Sequence, residues 1–209
     1  MNSPLRRIVL VRHGETDGDS SQHLIGSGDP NLSAAGREQV RRARSALIGQ
    51  VVDLVVASPA RRALQSAALL TGDAALRIEP DFSEIHFGRW EGLSLAEIDA
   101  ADPVLYQQWL DPESGFEYPD GELRAAFRAR VQRGLERIVS SGALGALVVA
   151  HRGVIREIVL TLTGARPAAE VPALGEVLAL TRDGDRWITG VRSSNPPNIP
   201  TPAPVELPA

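Results

Sequence analysis

Arg7-Ile8-Val9-Leu10-Val11-Arg12-His13-Gly14-Glu15-Thr16 is the stretch against which the rest of the chain is read. Ile8 to Val11 form an unbroken apolar run containing β-branched residues, which suits a strand buried on both faces. The run passes without transition into Arg-His-Gly-Glu-Thr. Open parallel sheets bind ligands in the crevice beyond the carboxyl ends of their strands, so an Arg and a His at that edge are placed for chemistry on an anion. Gly14 lets the backbone turn away or approach a ligand closely where a side chain would obstruct. Taken alone, the stretch is equally compatible with a site and with a chance Arg-His pair at a strand end.

Working outward, the pattern recurs. Ser33 is placed to cap a helix whose stripe is Val40, Ala43, Leu47 and Ile48, with Gly49 as its stop. Asp53 to Ala57 reads as a second buried strand, followed by Ser58-Pro59 as the cap and first turn of a helix over Ala60 to Leu70. Arg61 and Arg62 then lie near a strand's carboxyl end and a helix N-terminus, a combination that favours a bound phosphate. Two solvated surface arginines are the simpler reading of that pair by itself. Ala146 to Ala150 is a third apolar strand; it delivers His151-Arg152-Gly153 and a helix from Val154 toward Leu162. The chain has only four histidines, and two of them follow buried strands beside an Arg and a Gly.

Between these strands, residues 79 to 93 show neither helical nor strand periodicity. They combine Glu84, His86 and Glu91 with Phe82, Phe87 and Trp90, which reads as an ordered loop pinned by aromatics; a plain connecting loop is the alternative. Short helices are expected at 94–100 and 103–110. A long one is expected from Glu122 to Val139, with Leu123, Phe127, Val131, Leu135 and Ile138 inward and its arginines on a solvated face. Val177–Thr181 and Arg186–Val191, joined by Asp183-Gly184-Asp185, read as a hairpin.

Composition bounds the function. The chain has 209 residues, of which 43% are hydrophobic, enough for one domain with a sizeable core. A formal charge of -4 disfavours general affinity for nucleic acid or an anionic membrane. The absence of cysteine excludes disulfides, thiolate metal sites and a cysteine nucleophile. The apolar run behind Arg6 and Arg7 is too short for a signal-peptide core, so a soluble cytoplasmic protein is expected.

Four segments in order carry a resemblance: Val-Arg-His-Gly-Glu-Thr at 11–16, Ala-Ser-Pro-Ala-Arg-Arg-Ala at 57–63, Glu-Ile-His-Phe-Gly-Arg-Trp-Glu-Gly at 84–92 and Val-Ala-His-Arg-Gly-Val-Ile-Arg at 149–156. Together they resemble the histidine phosphatase superfamily, also called the phosphoglycerate mutase-like family, on its phosphatase branch. The resemblance implies an α/β fold, a three-layer α/β/α sandwich with a mostly parallel central sheet. It implies a single histidine phosphatase domain over residues 1–192, with 193–209 left as a Pro-rich tail.

The resemblance also implies roles. His13 is the nucleophile that becomes phosphohistidine, Glu84 the acid and base, and His151 a catalytic partner that also binds phosphate with Arg12 and Arg62. The implied activity is that of a histidine acid phosphatase-type phosphomonoesterase, a metal-independent hydrolase acting on a small phosphorylated metabolite. No cofactor and no metal is implied, and the histidines lack metal-ligand spacing. The expected partner is a small-molecule phosphate ester, not nucleic acid or membrane, with a homodimer left open. A phosphoglycerate-type mutase and a non-catalytic phospholigand-binding module are the competing readings. Against the mutase, there is no lysine after the Glu84 segment; against the binding module, mere binding does not need a proton donor. His86, Arg61 and Arg156 read as structural or surface residues, and Glu15 as one that orients its neighbours. The family's Asn and Gln-Gly are replaced here by Asp19 and Ile25-Gly26, and His-Gly-Gly by His151-Arg152-Gly153. These departures bear on substrate identity.

Overall fold

The apolar run at 8–11 becomes the middle of a six-stranded sheet. The computed structural model describes residues 4–18, 22–111, 113–165 and 172–190. In chain order the elements are β1 (Arg7–Arg12), α1 (Ala34–Ala43), β2 (Leu54–Ala57), α2 (Arg61–Thr71), β3 (Leu76–Ile78), α3 (Leu95–Ala101), α4 (Pro103–Leu110), α5 (Arg124–Val139), β4 (Gly145–Ala150), α6 (Arg152–Thr163), β5 (Val177–Asp183) and β6 (Arg186–Thr189). The strand order is β3-β2-β4-β1-β5-β6. The pairings β1·β4, β4·β2 and β2·β3 are parallel; β5 and β6 extend the sheet as an antiparallel hairpin.

Successive side chains of a strand face opposite sides of its sheet, so β1 divides its residues between two cores. Ile8 and Leu10 meet α5, α6 and the aromatic loops. Val9 and Val11 meet α1 and α2. Both sets are buried, which gives the three-layer α/β/α sandwich with a mostly parallel sheet. No helix among the described residues is long and apolar enough to cross a membrane.

Several sequence expectations are corrected. The stripe of α1 stops at Ala43, because a 3-10 turn over Arg44–Leu47 breaks the 3.6-residue period; Ile48 is therefore exposed. Ser58 does not cap α2. The helix begins at Arg61, whose N–H donates to Asp29 Oδ1 at 2.7 Å, so the cap comes from a distant loop. Helix α5 begins at Arg124, leaving Leu123 outside the stripe and exposed, while Phe127, Val131, Leu135 and Ile138 are buried. Helix α6 starts earlier than expected, at Arg152. The short edge strand β3 has no counterpart in the sequence reading. The Pro-rich tail, Val191 and Asp19 lie outside the described residues.

The loop at 79–93 is ordered by its aromatics. Phe82 and Trp90 are fully buried and Phe87 nearly so. Trp90 stacks on Phe116 and donates from Nε1 to Asp102 Oδ2 at 2.7 Å. Phe82 packs over Gly134 of α5, where an added Cβ would come within 2.6 Å of its ring. That contact brings α5 against the segment carrying Glu84.

Candidate active site

Three adjacent parallel strands end on the same edge, and a candidate site residue follows each of them there. In the β2-β4-β1 order, Arg12 pairs with Ala150 and Ala57 with Val149. The residues that follow, Ser58, His151 and His13, thus stand side by side. The His13 and His151 rings meet edge to face at 5.1 Å between centroids, and His151 Nε2 lies 2.7 Å from Ser58 Oγ. Ser58 is a site residue that the sequence reading placed in a helix cap. Its position after a buried strand, the same as that of both histidines, is the signal that would have found it.

The tautomer of His13 follows from its neighbour. His13 Nδ1 is 2.7 Å from the carbonyl oxygen of Gly14, which can only accept, so Nδ1 carries the proton. Burial, and next the charge of Arg62, push the imidazole down to about 3; the Gly14 bond opposes this, and Arg12 adds to it. A neutral ring with Nδ1–H leaves the Nε2 lone pair free. His151 is also held well below its ordinary value, first by burial and then by His13, Arg62 and Arg12. Its Nδ1 is buried without a hydrogen-bond partner among the described residues.

Both expected arginines are here. Arg62, 1% exposed, donates from Nη1 to Gly28 O at 2.6 Å and from Nη2 to Gly26 O at 2.9 Å. The same loop is held from its other side by Glu91, which accepts from the N–H groups of Gly26, Ser27 and Phe87. Gly26 fits because a Cβ would strike Ile85 O and Glu91. Arg12 is pushed down to about 10, first by burial and then by the like charge of Arg152, while Glu84 opposes the shift. The Nε groups of Arg12 and Arg62 are buried and make no hydrogen bond among the described residues. Buried donors with no acceptor among the described residues fit a site that receives an anion.

Glu84 enters from the aromatic loop. Its Oε2 accepts from Gly153 N at 3.0 Å, in the first turn of α6, and its Oε1 from Ile85 N at 3.0 Å. Burial raises its carboxyl above the ordinary range; these two N–H groups and then Arg62 and Arg12 pull the other way. Glycine at 153 leaves the Glu84 carboxylate in place, since a Cβ there would overlap Oε1.

The arginines of α5 do not all face water, which corrects the expectation of a solvated face. Arg130 reaches across to donate to the carbonyls of Asp81, Ser83 and Glu84 at 2.8, 2.6 and 3.0 Å. It pairs with both oxygens of Glu122 and sits 4.7 Å over the Phe127 ring. The backbone carrying Glu84 is therefore clamped by a residue that the sequence reading missed. No local signal marks it among the other arginines of the helix.

Residues expected to stay outside do so. His86 is exposed and accepts from Gly88 N, Arg61 pairs with Asp29, and Arg156 is exposed. Glu15 accepts from the Ser33 hydroxyl, which caps α1. Among the described residues, no three His, Cys, Asp or Glu side chains are grouped so as to hold a metal ion.

Comparison with known proteins bears on the family of the chain. The chain is 37% identical over 150 residues to a bifunctional protein of Mycobacterium tuberculosis (strain ATCC 25618 / H37Rv), a match covering 69% of this chain and 41% of that protein. The chain thus spans less than half the length of that relative. It is 33% identical over 182 residues to the glucosyl-3-phosphoglycerate phosphatase of Mycolicibacterium vanbaalenii, covering 82% of this chain and 80% of that enzyme. The crystal structure of the α-ribazole phosphatase from Shigella flexneri superposes with a TM-score of 0.78 at 28% identity, over 90% of this chain and 96% of that one. The family model for the histidine phosphatase superfamily (branch 1) matches residues 8–190. A match that runs from the central strand β1 through the edge strand β6 makes this chain a member of branch 1 of the histidine phosphatase superfamily.

Proposed function

We propose that the protein is a phosphomonoester hydrolase working through a phosphohistidine on His13, with a small phosphorylated metabolite as substrate. The observation that carries this reading is the His13 Nδ1–Gly14 O hydrogen bond, which leaves Nε2 as a lone pair among cationic donors. In the first half-reaction Nε2 attacks phosphorus, the P–O bond to the alcohol breaks, and Glu84 in its acid form gives its proton to the departing alkoxide. In the second, the Glu84 carboxylate takes a proton from water, the hydroxide attacks phosphorus, and the P–N bond breaks to release phosphate and restore His13.

Charge on the equatorial oxygens is met by Arg12, Arg62 and His151, whose unpaired N–H groups support this role. These side chains supply the neutralisation that a metal supplies in other phosphatases, so turnover is expected in the presence of a chelator. The relatives' names, glucosyl-3-phosphoglycerate phosphatase and α-ribazole phosphatase, support small phosphorylated metabolites as the class.

The test is rapid quench with a 32P-labelled phosphate ester. Acid-labile label is expected on the wild-type protein and not on His13→Ala, with phosphate released faster than any isomer of the substrate forms. Steady turnover by His13→Ala at the wild-type rate would refute the assignment.

A further inference from the structure

The basic side chains of the site are graded by depth. Arg62, His13 and His151 are buried, Arg12 is half-buried, and Arg152 is exposed. Arg152 opens α6 directly after His151, which fixes its backbone at the carboxyl end of β4, beside the strand that carries Arg12. The next residue, Gly153, binds the Glu84 carboxylate through its N–H. Arg152 thus stands at the rim, immediately outside the acid, base and phosphate donors.

Its surroundings set it apart from the other arginines near the site. Arg61 has Asp29, Arg89 has Asp102 and Arg130 has Glu122 as carboxylate partners. No ion pair or side-chain hydrogen bond engages Arg152 among the described residues. It stands instead close to a like charge, near enough to depress the Arg12 guanidinium. Two neighbouring guanidinium groups repel, the nearby Glu84 carboxylate offsets this only at Arg12, and an anion placed at Arg152 removes the remaining repulsion. A guanidinium presents a planar fork that matches a carboxylate or a phosphate, a geometry that an ammonium lacks. A transferring phosphoryl group lies deep, against His13; what reaches outward past Arg12 is the alcohol portion of the ester.

We infer that Arg152 forms a subsite for a second anionic group, a carboxylate or a phosphate borne by the alcohol portion of the substrate. This rests on the phosphatase reading above and narrows its substrate class to esters carrying two separate anions. Arg152 acts as a specificity-determining residue and takes no part in the proton transfers.

Two matched pairs test it. Glycerol 3-phosphate and 3-phosphoglycerate share the same CH2–O–P unit and differ in a hydroxymethyl against a carboxylate. Fructose 6-phosphate and fructose 1,6-bisphosphate differ by a second phosphate. The readout is the ratio of kcat/KM, member with two anionic groups over member with the phosphate alone, in wild type, Arg152→Met and Arg152→Glu; a ratio cancels effects on the shared phosphoryl chemistry. The ratio for at least one pair is expected to fall about ten- to a hundredfold in Arg152→Met, mainly through KM, and further in Arg152→Glu. The pair that moves identifies carboxylate or phosphate as the second anion. Turnover with both ratios unmoved in both variants overturns the subsite and leaves the phosphatase reading standing. Failure of the wild type to hydrolyse any of the four esters overturns both.

Discussion

Replacing Gly153 with alanine puts a methyl group where the Glu84 carboxylate lies. The added Cβ would overlap Oε1 and stand 3.2 Å from Glu84 Cδ and 3.2 Å from Phe127 Cζ. Phe127 is buried in the α5 stripe and has no room to recede, so the carboxylate is displaced by about 1 Å to regain ordinary contact. The helix itself gains, since alanine is favoured over glycine by up to about 1 kcal/mol. Weakening the Gly153–Glu84 hydrogen bond costs about 1.5–3 kcal/mol, so with about 1 kcal/mol regained in the helix net stability falls by about 0.5–2 kcal/mol. Catalysis is hit harder, because a proton donor misplaced by about 1 Å loses on the order of 100-fold.

The assay compares kcat/KM for glycerol 3-phosphate and p-nitrophenyl phosphate, with a urea midpoint as control. Glycerol departs as a poor leaving group and needs the proton; nitrophenolate does not. The alkyl ester is expected to lose about 100-fold and the aryl ester less than about tenfold. Equal losses on both esters, or full alkyl activity in a folded variant, would refute the placement of Glu84 as the acid.

Other perturbations separate the remaining parts. Glu84→Gln is expected to lower alkyl-ester turnover by about 10²–10⁴. In wild type that activity is present below the raised Glu84 value and falls as pH rises through it, whereas the Gln variant shows no such limb in its pH–rate profile. His13 titrates near 6.5 in the unfolded chain and at about 3 when folded, so it destabilises the fold as pH drops below 6.5. The raised Glu84 carboxyl acts with the opposite sign. His13→Asn should therefore gain about 2 kcal/mol relative to wild type between pH 8 and pH 5 in urea titrations. Arg130→Met strips the carbonyls of Asp81, Ser83 and Glu84 of their donor and strands Glu122. A loss of about 3–5 kcal/mol by denaturation is expected, with Arg130→Lys recovering only part of it.

What could be read before the structure was what lies close in sequence. The apolar runs of β1, β2 and β4 and the polar residues that end them sufficed to place His13 and His151 at one sheet edge. The stripe of α5 and the aromatic anchors of the 79–93 loop were legible for the same reason, that burial leaves a local period or cluster. Contacts between distant segments left no such trace. Ser58 suits a helix cap by residue type, and only the loop bringing Asp29 to Arg61 shows that the cap is supplied from elsewhere. Arg130 is one arginine among several on α5, distinguished by the loop folded against it. Ile48 fits a helical stripe until the helix tightens ahead of it, and β3 is too short for its alternation to register.

The row Ser58, His151, His13 bears on how charge is handled during a turnover. A hydroxyl donates as readily as it accepts, so Ser58 satisfies His151 Nε2 whether that nitrogen carries a proton or a lone pair. In the proposed reaction His151 Nδ1 offers N–H to the phosphate in one tautomer, and a ring protonated at both nitrogens would keep the same Ser58 bond. Each change is absorbed by rotating a single O–H bond. The proton inventory of the pocket can thus vary while the Ser58–His151 contact is kept.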